Sequence, residues 1–167
     1  MVGLNKASLY YYYKNKESIY TEVIFSEADA FLTSVFEEVD KVSGCKEKIL
    51  TYLTKRLKYI RNAINLNQLT IDSMQKLAPL FSDMYNNIVE KEVAYLSDIL
   101  ECCMNNGEII SCETSRIAKS IITVTEAIKN RMDNCTYKSS ASESRHIEAL
   151  NEIVFTVSLM LDGLIRK

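Results

Sequence analysis

From Asn15 to Ile165 apolar side chains return every third or fourth residue, and little interrupts them: the 167-residue chain has four glycines and one proline. That period lines apolar positions along one face of an α-helix, and such segments bury those faces only against one another. No strand pattern of comparable length competes. The expected class is therefore all-α, with enough chain for one ordinary hydrophobic core.

The joints divide the pattern into segments. A long helix is expected from Asn15 to about Asp40, with Ile19, Val23, Ile24, Ala28, Phe31, Val35 and Val39 inward and Ser43-Gly44 ending it. The next runs from about Lys46 to Ile64 on the stripe Ile49, Leu50, Leu53, Leu57, Ile60 and Ile64. Lys48, Lys55, Arg56, Lys58 and Arg61 form its solvated face. After a break at 65–67, a short helix from about Leu69 to Leu77 is expected to stop before Pro79, because proline disfavours helical geometry in the residue preceding it. Proline suits a first helical turn, so a new helix is expected from about Pro79 to Asn105. Asn106-Gly107 is its C-cap, and 108–111 reads as a connector. A helix from Thr114 or Ser115 to about Met132 and a last one from about Arg145 to Ile165 complete the set, with a polar, serine-rich loop at 134–144 between them. The last helix is apolar almost all the way round, so its own body covers one side and a second subunit is expected on the other.

The start of the chain carries a different signal. Gly3 suits a tight turn, Asn5 an N-cap, and Lys6 to Tyr13 a short helix with Leu9 and Tyr13 inward. Asn15 caps the long helix, with Lys16, Glu17 and Ser18 in its first turn. Turn, short helix, tight turn and long helix make the back half of a helix-turn-helix unit. The run Gly3-Leu4-Asn5-Lys6-Ala7-Ser8-Leu9-Tyr10-Tyr11-Tyr12-Tyr13-Lys14-Asn15-Lys16-Glu17-Ser18-Ile19 closely resembles the signature of tetracycline-repressor-type (TetR-type) regulators. Asn5 stands where serine is usual and Tyr13 where phenylalanine is usual, both mild departures. Such proteins carry further residues ahead of the matching glycine, so the first helix and most of the second are expected to be missing here.

The resemblance implies residues 1–20 as the remnant of an N-terminal helix-turn-helix DNA-binding domain and 21–167 as a C-terminal helical regulatory and dimerisation domain. It implies a ligand-responsive transcriptional repressor. The truncated start raises an alternative, a helical dimerisation or ligand-binding module without DNA activity. For an operator, Lys6 and Ser8 reach base edges or phosphates, and Ala7 lets the backbone approach. Tyr10, Tyr11 and Tyr12 offer hydroxyls to phosphates, with aromatic packing as the competing role of Tyr12, and Lys16 adds a clamp at a helix N-terminus. Candidate effector-pocket residues are Tyr59, Met74, Phe81, Met84 and Tyr85, although methionines and aromatics at helical spacing more often form core. A homodimer is expected through an isologous four-helix interface of residues 114–132 and 145–165, with Ile121, Val124, Val157 and Leu161 at or near its seam.

Charge agrees with a basic tip. The net charge is −2, and residues 1–16 hold Lys6, Lys14 and Lys16 without an acid, which leaves −5 for the rest. A basic end on an acidic body suits phosphate contact at one end only. The five cysteines, Cys45, Cys102, Cys103, Cys112 and Cys135, have no C-x-x-C spacing, and the single histidine, His146, is distant in sequence. Reduced thiols and no metal site are expected. No secretion signal or membrane span is readable, which gives a cytoplasmic expectation. The glycines are too scattered for a phosphate loop, and Glu37-Glu38 and Glu90 with Glu92 read as charged faces, so neither catalysis nor a cofactor is expected.

Overall fold

Among the described residues, five helices form where the apolar period is strongest: α1 Lys16–Val39, α2 Cys45–Leu66, α3 Ile71–Asn105, α4 Thr114–Asn134 and α5 Ser142–Asp162. The computed structural model describes the backbone of residues 11–13, 16–66, 71–134 and 142–166, and their side chains except at 16–17, 20–21, 24, 60–66, 71–81, 83–84, 132–134 and 142–143. Neighbours in the chain run antiparallel. Helices α2, α3, α4 and α5 close a ring in which each packs on the next and α5 returns to α2, while α1 lies against α2 and α3. The expected all-α class is what the chain adopts.

Each inner face follows from spacing. Ala28, Leu32, Val35 and Val39 lie on one stripe of α1 and are buried, whereas Val23, expected inward, is half exposed. Ile49, Tyr52, Leu53 and Leu57 of α2 meet Leu96, Ile99, Leu100 and Cys103 of α3 in the core. Ala118, Ile121 and Ile122 of α4 and Ile153, Val157 and Leu161 of α5 close it. Burying a residue of this size contributes about 1.5–3 kcal/mol, so the core dominates the stability of the body.

Pro79 does not end a helix. Residues 71–105 form one helix through it, so the expected break between Leu77 and Pro79 is absent. Proline forfeits one intrahelical hydrogen bond and crowds the carbonyl four residues back, yet its fixed φ is itself helical. A helix of 35 residues can carry that local loss.

The base of the bundle is tied by short-range geometry. Gly107 takes a φ of 76° just past α3. The Glu108 amide donates to the Cys103 carbonyl at 2.9 Å and the Gly107 amide to Met104 at 3.1 Å, the paired bonds of a Schellman cap. Glu108 also reaches across the fold: its carboxylate accepts from the Cys45 amide at 3.0 Å and so caps the first turn of α2. Ile109 and Ile165 then form an isolated antiparallel bridge, which fastens the end of the chain beneath α3.

Candidate functional site

The centre of the bundle contains charge. Arg56 of α2 and Glu92 of α3 sit at core positions of their helices, 3% and 1% exposed. The guanidinium donates from Nε to Glu92 Oε1 and from a terminal nitrogen to Oε2, the latter at 3.0 Å. Its other terminal nitrogen donates to Glu126 of α4 at 2.7 Å. Tyr52 donates its hydroxyl to Glu92 at 2.6 Å. Lys129, one turn along α4, closes on the second oxygen of Glu126 at 2.9 Å, and Tyr85 of α3 is near enough to feel the Glu126 charge.

One arginine thus joins three helices of the ring. Burial alone would depress the Arg56 pKa, but Glu92, then Tyr52 and Glu126, hold the guanidinium charged. Burial also raises the pKa of Tyr52, and the Glu92 charge adds to that. For Tyr85, burial and then Glu126 push it up to about 12. At Glu126 burial works upward, but Arg56 and then Lys129 outweigh it and keep the carboxyl below its ordinary 4.5. Neither Arg56 nor Glu92 was legible as interior: the first was expected on the solvated face of its helix, the second on a charged face. A signal did exist. Arg56 falls four residues after Tyr52, and Glu92 four before Leu96, both on inward stripes, with opposite signs on adjacent helices.

The network continues towards α1. Tyr52 lies beside Phe36 of α1, ring centroids 6.1 Å apart, and Phe36 stacks on Tyr95 of α3 at 3.7 Å. Tyr95 donates its hydroxyl to Asp40 at 3.1 Å. Higher on α1, Phe31 stacks on Tyr59 at 3.7 Å with planes 9° apart. Ion pairs Glu38–Lys55 and Asp29–Lys91 add two surface ties. The helix that follows the basic segment is therefore joined to the same part of the body that holds Arg56.

The expected site residues separate on this frame. Lys6, Ala7, Ser8 and Tyr10 lie outside the described residues, as does the Lys16 side chain. Tyr11 and Tyr12 are 85% and 77% exposed and touch edge to face at 5.3 Å. Of the pocket candidates, the Met74, Phe81 and Met84 side chains also lie outside the described set. Tyr59 is occupied in its stack with Phe31, whereas Tyr85 is 41% exposed beside Glu126.

Three of the four expected seam residues need correction. Ile121, Val157 and Leu161 are 0%, 0% and 1% exposed within one subunit, and Val124 is half-buried. Ile121, Val157 and Leu161 face the ring, because positions 149, 153, 157 and 161 form the stripe of α5 that meets its own core. The outward apolar residues of α5 are Ile147, Phe155 and Leu159, 52%, 60% and 57% exposed. A helical period establishes that apolar residues occupy all sides, but not which side the subunit itself covers.

Of the cysteines, Cys45 and Cys103 are buried, Cys112 is half-buried and Cys102 exposed; Cys135 lies outside the described residues. Burial, followed by the neighbouring Cys103, pushes the Cys45 thiol far up, so it stays protonated. Among the described residues no group of His, Cys, Asp or Glu has the placement of a metal site, and no helix is long and apolar enough to cross a membrane.

The ring of four antiparallel helices with a fifth lying along it is an all-helical architecture. Its fold is similar to the crystal structure of a transcriptional regulator from Cytophaga hutchinsonii, with a TM-score of 0.80 and 18% sequence identity over 99% of this chain and 84% of that one. No protein-family model matches the chain, and no curated protein matches it.

Proposed function

We propose that the chain is a DNA-binding transcriptional regulator of TetR type, a repressor acting in the cytoplasm and released by a small effector. The observation that carries this reading is positional. The motif of residues 3–19 leads directly into α1, in a chain whose fold follows a transcriptional regulator almost from end to end. Lys6, Ser8, Tyr10, Tyr11, Tyr12 and Lys16 are the proposed contacts to an operator, with Ala7 at the point of close approach. The aromatic stacks and ion pairs that fix α1 to α2 and α3 supply a path by which a change in the body would reorient the basic segment. Two subunits pair through the outer faces of α4 and α5, where Ile147, Phe155 and Leu159 are uncovered and Thr123 and Ala127 are small enough for close approach.

A mobility-shift assay on DNA flanking the gene tests the reading, with the chain and with a version carrying any in-frame residues upstream of Met1. Binding that weakens steeply with salt, and weakens further in Lys6→Ala and Lys16→Ala, is expected because each lysine that neutralises a phosphate releases a counterion. Failure of both versions to bind any flanking DNA would leave a dimeric ligand-binding module as the better description.

A further inference from the structure

We propose that the groove between α2 and α5 binds a small amphiphilic carboxylate, with Lys58 as the anchor for its charge. The groove has a volume of about 360 Å³, within the range of about 300–1,000 Å³ usual for small-molecule sites. Thr51, Thr54 and Lys58 line it along one stripe of α2, Leu50 adds apolar surface beside them, and Val154 stands opposite on α5. The Lys46–Asp162 ion pair, at 2.6 Å, ties the two helices together at the end where α2 begins. Lys55 and Lys58 lie at the other end. One side of the groove is open to solvent, so a ligand lies along it rather than inside the bundle.

Charge decides the sign of the ligand. Helix α2 holds six Lys and Arg residues against the single acid Glu47, a net +5 in a chain of net −2. Arg56 is neutralised in the core by Glu92 and Glu126, Lys46 by Asp162 and Lys55 by Glu38. Lys58 is left over: it is exposed, and among the described residues no carboxylate pairs with it. A helical side chain leans towards the N-terminus, which carries the Lys58 ammonium back over Thr54 and along the groove. The acid in the lining, Glu47, is folded back on the start of α2, with Oε2 2.9 Å from where a Cβ on Gly44 would stand. A helix N-terminus favours a carboxylate there. Glu47 is thus engaged about 16 Å along the axis from the position of Lys58 and leaves that charge uncompensated.

The rest of the lining fixes the body of the ligand. Leu50 and Val154 are half-buried apolar residues from the two walls, and Leu50 packs on the core beneath. Thr54 spends its hydroxyl proton on the Leu50 carbonyl at 2.8 Å, so it offers the groove no donor. An alkyl chain laid between Leu50 and Val154 removes their uncovered surface from water while its carboxylate meets Lys58. A simple anion gains only the charge contact, and an alkyl cation is repelled by it. None of the proposed operator contacts takes part, so the groove is a site additional to the basic segment.

Titration of the isotope-labelled full chain with octanoate, followed through its amide NMR shifts, tests the assignment. Saturable shifts centred on Thr51, Thr54 and Val154 are expected, with far weaker responses to acetate and to octylammonium at matched ionic strength. Lys58→Gln should weaken octanoate binding by about threefold to tenfold, the loss of one partly exposed charge contact. Lys58→Glu should abolish it and admit octylammonium instead; both variants change an exposed side chain, and thermal melts establish that they are folded. Absence of saturable octanoate shifts, shifts centred elsewhere, or an equal response to acetate or octylammonium would overturn the proposal. So would unchanged affinity in Lys58→Gln, or capture by phosphatidylglycerol vesicles without octanoate shifts, which would assign the basic face to a membrane surface. DNA takes no part in this assay, so the regulator reading and the groove stand or fall separately.

Discussion

Arg56 and Glu92, from the middles of two adjacent helices, make a two-point ion pair that water scarcely reaches. Such pairs seldom stabilise a fold more than well-packed apolar residues would, because both charges lose their hydration. Their strength is directional. The guanidinium fork fits one placement of α2 against α3, and its third bond fixes α4 to both.

Arg56→Ala is expected to cost about 3–5 kcal/mol, since Glu92 would remain buried without its cation. Arg56→Met combined with Glu92→Leu should recover much of that loss. Urea unfolding followed by circular dichroism measures both. A double variant no more stable than the single one would show that lost packing, rather than stranded charge, is the cause.

Substitutions on α5 should divide by face. Phe155→Glu and Leu159→Glu are expected to convert a dimer to a folded monomer, because each places a charge in the outward apolar patch. Val157→Glu should instead unfold the subunit, its position being wholly interior. Sedimentation velocity beside thermal melts distinguishes the two classes. Wild-type protein sedimenting as a monomer at micromolar concentration would dispose of the seam.

Gly107→Ala isolates a backbone effect. A Cβ there would meet only the Arg166 guanidinium, at 3.9 Å, so space is not the constraint. The constraint is the backbone, whose φ is 76°, and a left-handed residue with a side chain costs about 1–2 kcal/mol. A melting temperature equal to wild type would mean that the cap had shifted to another geometry.

Acid should weaken the body through Glu126. Its folded pKa is lowered from 4.5, against the effect of burial, by Arg56 and then Lys129. A depressed carboxyl stabilises the fold fully above its unfolded pKa and loses that contribution as pH falls through the folded value. Stability measured downward from neutral pH should therefore drop below about pH 4.5 in wild type. In Glu126→Gln the drop should be shallower. Parallel curves for the two proteins would assign the acid sensitivity to other carboxylates.

At the basic end, Tyr11→Phe and Tyr12→Phe remove only a hydroxyl from rings that are largely exposed. Each should leave the melting temperature unchanged and weaken operator binding by a factor of a few, as loss of one phosphate hydrogen bond does. Filter binding at two salt concentrations measures this. A lowered melting temperature in Tyr12→Phe would support its packing role over phosphate contact.

The sequence by itself determined the helical class, the approximate extent of four helices and the cap at Gly107. These depend on local rules: a 3.6-residue apolar period and the one residue type that accepts a left-handed φ cheaply. Tertiary structure decided whatever depended on neighbours distant in the chain. Pro79 reads locally as a stop, yet α3 passes through it. Arg56 and Glu92 read as solvated charges until the fold places each as the other's counter-ion. The stripe of Val157 and Leu161 reads as equivalent to that of Phe155 and Leu159 until α2 and α4 cover one and leave the other bare. A helical repeat states which residues share a face, and only the packing of other helices states what that face meets.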